Sequence, residues 1–166
     1  MTDTDLKQPE LEIQRIYLKD ASLETPGVPA VFVQSWEPEV NVDLDVKNNE
    51  LDHTTYEVIL TVTVHAKMQD KSVFLVEVKQ AGIFHVAGFE DAQKDHLLAA
   101  YFPTVLFPYA REAISDLVVK ASFPQLNLAP VNFDALYMQQ QAATGEQPKH
   151  RRASDLVGQE ETGKKH

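Results

Sequence analysis

Apolar and polar residues alternate with a period of two through much of the first half of the chain, the mark of strands with one face toward water. Val40 to Val46 alternates strictly, as V-N-V-D-L-D-V. Tyr56 to Ala66 repeats it, with Tyr56, Val58, Leu60, Val62, Val64 and Ala66 on one face and Glu57, Ile59, Thr61, Thr63 and His65 on the other. Leu11 to Leu23 reads as an earlier strand whose alternation breaks near Arg15 and Ile16, where a bulge is expected. Val73 to Val86 is the last, long strand. It sets Phe74, Val76, Val78 and Gln80 against Val73, Leu75, Glu77 and Lys79. Turn-forming residues separate these runs at Thr25 to Pro29, Lys47 to Glu50 and Gln69 to Ser72. The last is short enough for a hairpin. No helical period intervenes before residue 88, which excludes parallel crossovers there and leaves four antiparallel strands.

After Gly88 the period changes. Asp91 to Tyr101 has a short helical pattern that is expected to halt near Pro103. Thr104 is placed to cap a longer helix to about Ala121, interrupted by Pro108 in its first turns. Phe107, Ile114, Leu117, Val118 and Ala121 recur along it at helical spacing, a stripe wider than one sheet face requires. Phe123 to Tyr137 then reads F-P-Q-L-N-L-A-P-V-N-F-D-A-L-Y. Pro124 and Pro130 exclude a helix interior or a central strand, yet the stretch is unusually apolar for a connection. Either it packs on its own core or it walls a hydrophobic site. Asp134 is expected to cap a last helix from Ala135 to about Ala142.

Strands first and helices after make an α+β domain: a four-stranded antiparallel sheet, a long helix, an apolar proline-containing loop and a short C-terminal helix. The expected organisation is a flexible N-terminus over 1–10, one domain over 11–142 and a disordered tail over 143–166. Val73 and Leu75 beside Glu77 are odd on a face meant for water, and the broad helix stripe adds to the surplus of apolar surface. An oligomer that keeps a hydrophobic groove accounts for this surplus, and a monomer with a thick core is the other account.

Charge narrows the partners. The formal net charge is −10, and residues 1–90 carry sixteen acids against seven lysines and arginines, whereas Glu146 to His166 leans basic. An acidic body argues against nucleic acid and anionic lipid, and suits a basic protein partner or simple solubility. No apolar run approaches the roughly 20 residues of a membrane span, the N-terminus is unlike a secretory signal, and cysteine is absent. A cytoplasmic protein without membrane insertion is the expectation. The histidines at 53, 65, 85, 96, 150 and 166 form no zinc motif, and no nucleophile or phosphate-binding signature occurs. Gly82 and Gly88 read as a bend at a sheet edge, and Asp43/Asp45 as a solvated edge pair. No enzyme, no metal and no cofactor are expected.

Several segments together resemble the SecB family of export chaperones: I-Q-R-I-Y-L-K-D at 13–20, W-E-P-E-V at 36–40, D-L-D at 43–45 and Y-E-V-I-L-T-V-T-V at 56–64. So do F-L-V-E-V at 74–78, L-F-P-Y-A-R-E at 106–112 and the loop at 123–137, the last two being the most specific. The likeness runs in order over residues 11–138.

The resemblance implies a homotetramer, a dimer of dimers, that binds unfolded secretory precursors without ATP and delivers them to the motor SecA. It implies SecA docking at Asp20, Glu24, Leu75 and Glu77, and oligomer contacts at Val76, Val78 and Gln80. Trp36, Tyr109, Leu126, Leu128, Phe133 and Tyr137 are the candidates for the client groove, each with a core role as the alternative. Two departures stand out. Val76 takes a place often held by cysteine in the family, and the tail after Gln141 is long and basic-leaning where family tails are short and acidic. Competing readings are a SecB-like chaperone dedicated to a toxin–antitoxin client, and a non-catalytic domain that binds a small ligand.

Overall fold

Four strands form one antiparallel sheet in this computed structural model, which describes residues 8–144. They are β1 (Glu10–Glu24), β2 (Glu39–Asp52), β3 (Thr55–Met68) and β4 (Lys71–Ala87), ordered β1-β4-β3-β2 across the sheet. Two hairpins join β2 to β3 and β3 to β4, and a longer connection carries the chain from β1 to the far edge, a Greek-key arrangement. The expected N-terminal segment and tail fall mostly on residues 1–7 and 145–166, outside the described residues.

The β1 pattern explains its own irregularities. Its register against β4 shifts between Ile13 and Arg15 and again between Leu18 and Asp20, so Gln14 and Lys19 are extra residues. Each bulge absorbs one of two adjacent polar residues. Without them a strict alternation would turn apolar side chains toward water. With them Leu11, Ile13, Ile16, Leu18, Ala21 and Leu23 share one face, while Glu12, Arg15, Tyr17, Asp20, Ser22 and Glu24 share the other.

The β2–β3 turn lies elsewhere than expected. Lys47 to Glu50 continue β2 and pair with Ile59 to Tyr56, since polar side chains cost little on an edge strand. The chain reverses at His53 and Thr54, where the Asp52 carboxylate accepts the Thr54 N–H at 2.9 Å. At the β3–β4 hairpin Gln69 and Asp70 both take positive φ, the primed turn that matches strand twist.

Three helices follow: α1 (Asp91–His96), α2 (Phe102–Lys120) and α3 (Phe133–Thr144). The helix does not halt at Pro103. A π-helical turn, Leu97–Tyr101, joins α1 to α2, with the Phe102 N–H bonded to the Leu97 carbonyl. Thr104 is therefore inside the helix, its hydroxyl bonded back to the Ala100 carbonyl at 2.7 Å rather than capping an end. At the other end Ser122 takes positive φ and the Phe123 N–H reaches the Val118 carbonyl, which closes α2 with a left-handed cap.

Phe102, Leu106, Phe107, Ala110, Ile114 and Val118 form the buried stripe of α2, and it covers the inner face of β3 and β4. Val58, Leu60, Val62, Val64, Phe74, Val76, Val78 and Phe84 meet it there, essentially without solvent contact. The Phe84 and Phe102 rings stack at 3.8 Å. Gly82 makes that possible within β4 and is not an edge bend: a Cβ there would lie 2.7 Å from the Phe84 ring. Gly88, at φ +78°, makes the turn that leaves the sheet.

Candidate functional site

Two surfaces concentrate the residues singled out by sequence. The first is the outer sheet face, opposite the helices. Pairing places Asp20 against Lys79, Ser22 against Glu77 and Glu24 against Leu75, so Asp20, Glu24, Leu75 and Glu77 share one side of two adjacent strands. β3 and β2 extend the same side with Thr61, Thr63 and His65, then Asp45, Asp43 and Asn41. Sequence reasoning set Asp43 and Asp45 aside as an edge pair, and only the register shows that they continue the acidic face. One Asp43 oxygen, Oδ1, is shielded from solvent and receives no hydrogen bond. Glu77 accepts a hydrogen bond from the Thr63 hydroxyl at 3.3 Å. Leu75 is half-buried, but Val73 is covered, because the β1–β2 connection folds over it through the Gly27 N–H to Val73 carbonyl bond. Of Val73 and Leu75, the two residues expected to be out of place on this face, Leu75 alone keeps solvent contact.

Beyond Asp20, the same face carries a polar strap. Glu57 on β3 is almost fully buried and accepts bonds from the Tyr17 hydroxyl, from Lys19 Nζ at 3.0 and 2.9 Å, and from Asn49 Nδ2 at 3.0 Å. These donors hold the Glu57 carboxyl below its ordinary value, with the Tyr17 hydrogen bond contributing most. Burial, the bond to Glu57 and its charge push the Tyr17 phenol up to about 12.

The second surface surrounds the loop after α2. Phe123 is buried and collects three rings: Phe74 at 5.1 Å, Trp36 at 5.3 Å and Phe32 at 5.4 Å. Phe32 and Trp36 stand in the β1–β2 connection, around a 3-10 turn at Ala30–Val33, and both keep more than a third of their surface exposed. Val33 beside them is 90% exposed. Phe32 and Val33 escaped sequence reasoning, because Thr25 to Pro29 reads only as a turn. The apolar run V-P-A-V-F-V over 28–33 was the available signal.

The expected groove residues separate by burial. Trp36 and Tyr109 are exposed, Leu126 and Tyr137 are half-buried, and Leu128 and Phe133 belong to the core of this protomer. Phe133 packs edge-on to Phe107 at 6.1 Å, and Tyr137 meets His96 at 5.3 Å. Asn132, not Asp134, caps α3, its Oδ1 accepting the Ala135 N–H at 3.0 Å. Asp134 instead holds His96 Nε2 at 2.7 Å, which ties α3 to the end of α1. Val76, Val78 and Gln80, the expected oligomer contacts, lie on the face of β4 that α2 covers and are buried by their own chain. A different apolar strip stays uncovered: Leu11, Ile13 and Leu18 on the inner face of β1 are 41%, 46% and 52% exposed, because α2 covers mainly β3 and β4.

Among the described residues no group of histidines, cysteines and carboxylates is arranged to hold a metal ion, and no helix is long and apolar enough to cross a membrane. Comparison with known proteins gives a single direction. The chain matches the family described as SecB, preprotein translocase subunit SecB, over residues 4–144. Proteins named protein-export protein SecB from Legionella pneumophila strains Corby and Lens are 55% identical over 148 residues, covering 87% of this chain and 91% of theirs. Among solved structures, the SecB-like chaperone of Mycobacterium tuberculosis, in complex with a ChAD peptide from the HigA1 antitoxin, superposes with a TM-score of 0.62 at 17% identity. That match covers 73% of this chain and 90% of that one, and shows a shared fold. By sequence over nearly its whole described length, and by fold, this chain belongs to the SecB family of protein-export chaperones.

Proposed function

We propose that this protein holds unfolded secretory precursors in the cytoplasm and passes them to SecA, by binding alone and without ATP or catalysis. Family membership at 55% identity to export proteins supports the export role. The observation that carries the mechanism is the separation of two surfaces: exposed aromatic and aliphatic side chains around Phe123, and carboxylates on the opposite sheet face. Unfolded chains expose apolar side chains of many kinds, and a patch of adaptable rings binds them with little sequence preference. Phe32, Val33 and Trp36 provide the first contact, with Tyr109, Leu126 and Tyr137 continuing along the helices. Leu128 and Phe133 support that wall from beneath. The acidic face, with Asp20, Glu24, Leu75 and Glu77 at its centre, attracts a basic segment of SecA.

The folded unit of this proposal is the 11–142 domain, assembled as a dimer of dimers. The uncovered strip of Leu11, Ile13 and Leu18, next to an open strand edge, supports self-association, since such a strip is costly in water. Val76, Val78 and Gln80 contribute by setting the position of α2. Four protomers present several weak patches to one client, so binding gains from avidity. A toxin–antitoxin client receives no separate support, because the mycobacterial likeness extends to the fold alone. Light scattering from a denatured secretory precursor diluted with the stoichiometric tetramer tests the reading. Suppression of aggregation is expected, and undiminished scattering refutes it.

A further inference from the structure

Which way Asp20 and Glu24 point depends on a single extra residue. The bulge at Lys19 restores the phase of β1 so that Asp20, Ser22 and Glu24 turn outward and Ala21 and Leu23 inward. Moving that bulge past Glu24 would exchange the two sets, because side chains alternate with period two. Backbone pairing by itself permits an extra residue at several places along a strand. Here the side chain of the extra residue is tied down. Lys19 Nζ reaches both Glu57 oxygens at 2.9 and 3.0 Å, and the Tyr17 hydroxyl, two residues earlier, donates to the same carboxylate. Asn49 Nδ2 holds the carboxylate from the other side at 3.0 Å. Glu57 therefore sits between β1 and β2 with bonds from each. The reach over β4 is possible because Tyr17 pairs with Ala81, whose small side chain lies fully covered beneath the strap.

We propose that Glu57 and Lys19 are positioning residues for the acidic docking face: they fix the bulge, and through it the outward phase of Asp20 and Glu24. The inference rests on the docking reading above. It makes a prediction of opposite sign to simple electrostatics. Lys19→Ala removes a positive charge from the face, so a field effect alone tightens binding of a basic partner. Loss of positioning weakens it.

The experiment compares Lys19→Ala, Glu57→Ala, their double variant and Glu77→Lys in the full-length protein, with Lys47→Ala as the charge-matched control. Affinity for SecA and hydrogen exchange of the amides from Asp20 to Glu24 are both read. The expected result is affinity lowered about two- to fivefold by Lys19→Ala, as for loss of a partly exposed ion pair, with no further loss in the double variant. Exchange from Asp20 to Glu24 rises in the same variants, and Lys47→Ala binds SecA as well as or better than wild type. Unchanged exchange in Lys19→Ala overturns the proposal, and so does tighter SecA binding while Glu77→Lys loses it. Wild-type affinity in Glu77→Lys together with raised exchange in Lys19→Ala refutes the docking reading and leaves the positioning of β1 supported.

Discussion

The indole of Trp36 stacks on the ring of Phe123 at 5.3 Å with 28° between their planes, joining the connection that follows β1 to the loop that follows α2. The contact is asymmetric, because Phe123 is buried and Trp36 keeps a third of its surface in water. One ring serves the core and the other faces outward.

The two roles separate by mutation. Phe123→Ala opens a cavity among Phe32, Trp36 and Phe74, and is expected to cost about 3–5 kcal/mol of stability in denaturant unfolding. Val33→Ser changes a side chain already in water, so stability should move by less than about 0.5 kcal/mol. Its affinity for an unfolded precursor should fall measurably by fluorescence titration. Equal client affinity in Val33→Ser and wild type removes this residue from the client surface.

The Tyr17–Glu57 hydrogen bond makes stability depend on pH at both extremes, with burial adding to the shift of Tyr17 and opposing that of Glu57. The Tyr17 phenol is raised from 10.0 to about 12, so its contribution is complete below pH 10 and is lost as pH rises toward 12. The Glu57 carboxyl is lowered from 4.5, so its contribution is complete above pH 4.5 and is lost as pH falls through the depressed value. Thermal midpoints measured across pH should fall on both limbs. Tyr17→Phe should flatten the alkaline limb and Glu57→Gln the acid limb.

α3 is fastened by few polar contacts. Asn132→Ala removes its cap and should cost about 1 kcal/mol. Asp134→Ala removes the partner of His96 and should raise exchange of the α3 amides while leaving the sheet amides protected. Equal protection in α3 would show that apolar packing of Phe133, Leu136 and Tyr137 holds the helix without that bond.

Assembly is testable on β1. Leu18→Asp places a charge on the uncovered apolar strip, where Leu18 is 52% exposed in one protomer. Folding of the chain should survive, whereas the proposed four-chain assembly should give way to a lower mass in solution by light scattering.

Sequence pattern located the strands because one face of the sheet is buried and alternation records it directly. Val58 to Ala66 reads the same in sequence and in burial, and Glu57 departs from the pattern because the strap covers it. It misjudged Lys47 to Glu50, since an edge strand tolerates the Asn-Asn pair that elsewhere marks a turn. It stopped the helix at Pro103, because a π turn that accommodates a proline leaves no periodic trace. Val73 read as exposed because a loop from a distant part of the chain covers it. At the candidate site, Asp43, Asp45 and Glu77 fall on one face only through pairing across three strands, a relation that lies outside any local window. Phe32 stayed hidden for a different reason: its partner Phe123 lies far away in sequence.

The division of labour between the two surfaces admits one direct measurement. A photo-reactive residue is placed at Phe32 in one sample and at Glu77 in another, and each protein is irradiated with an unfolded precursor and SecA together. Precursor captured at position 32 and SecA captured at position 77 is the predicted outcome. Precursor captured at 77, with none at 32, contradicts it.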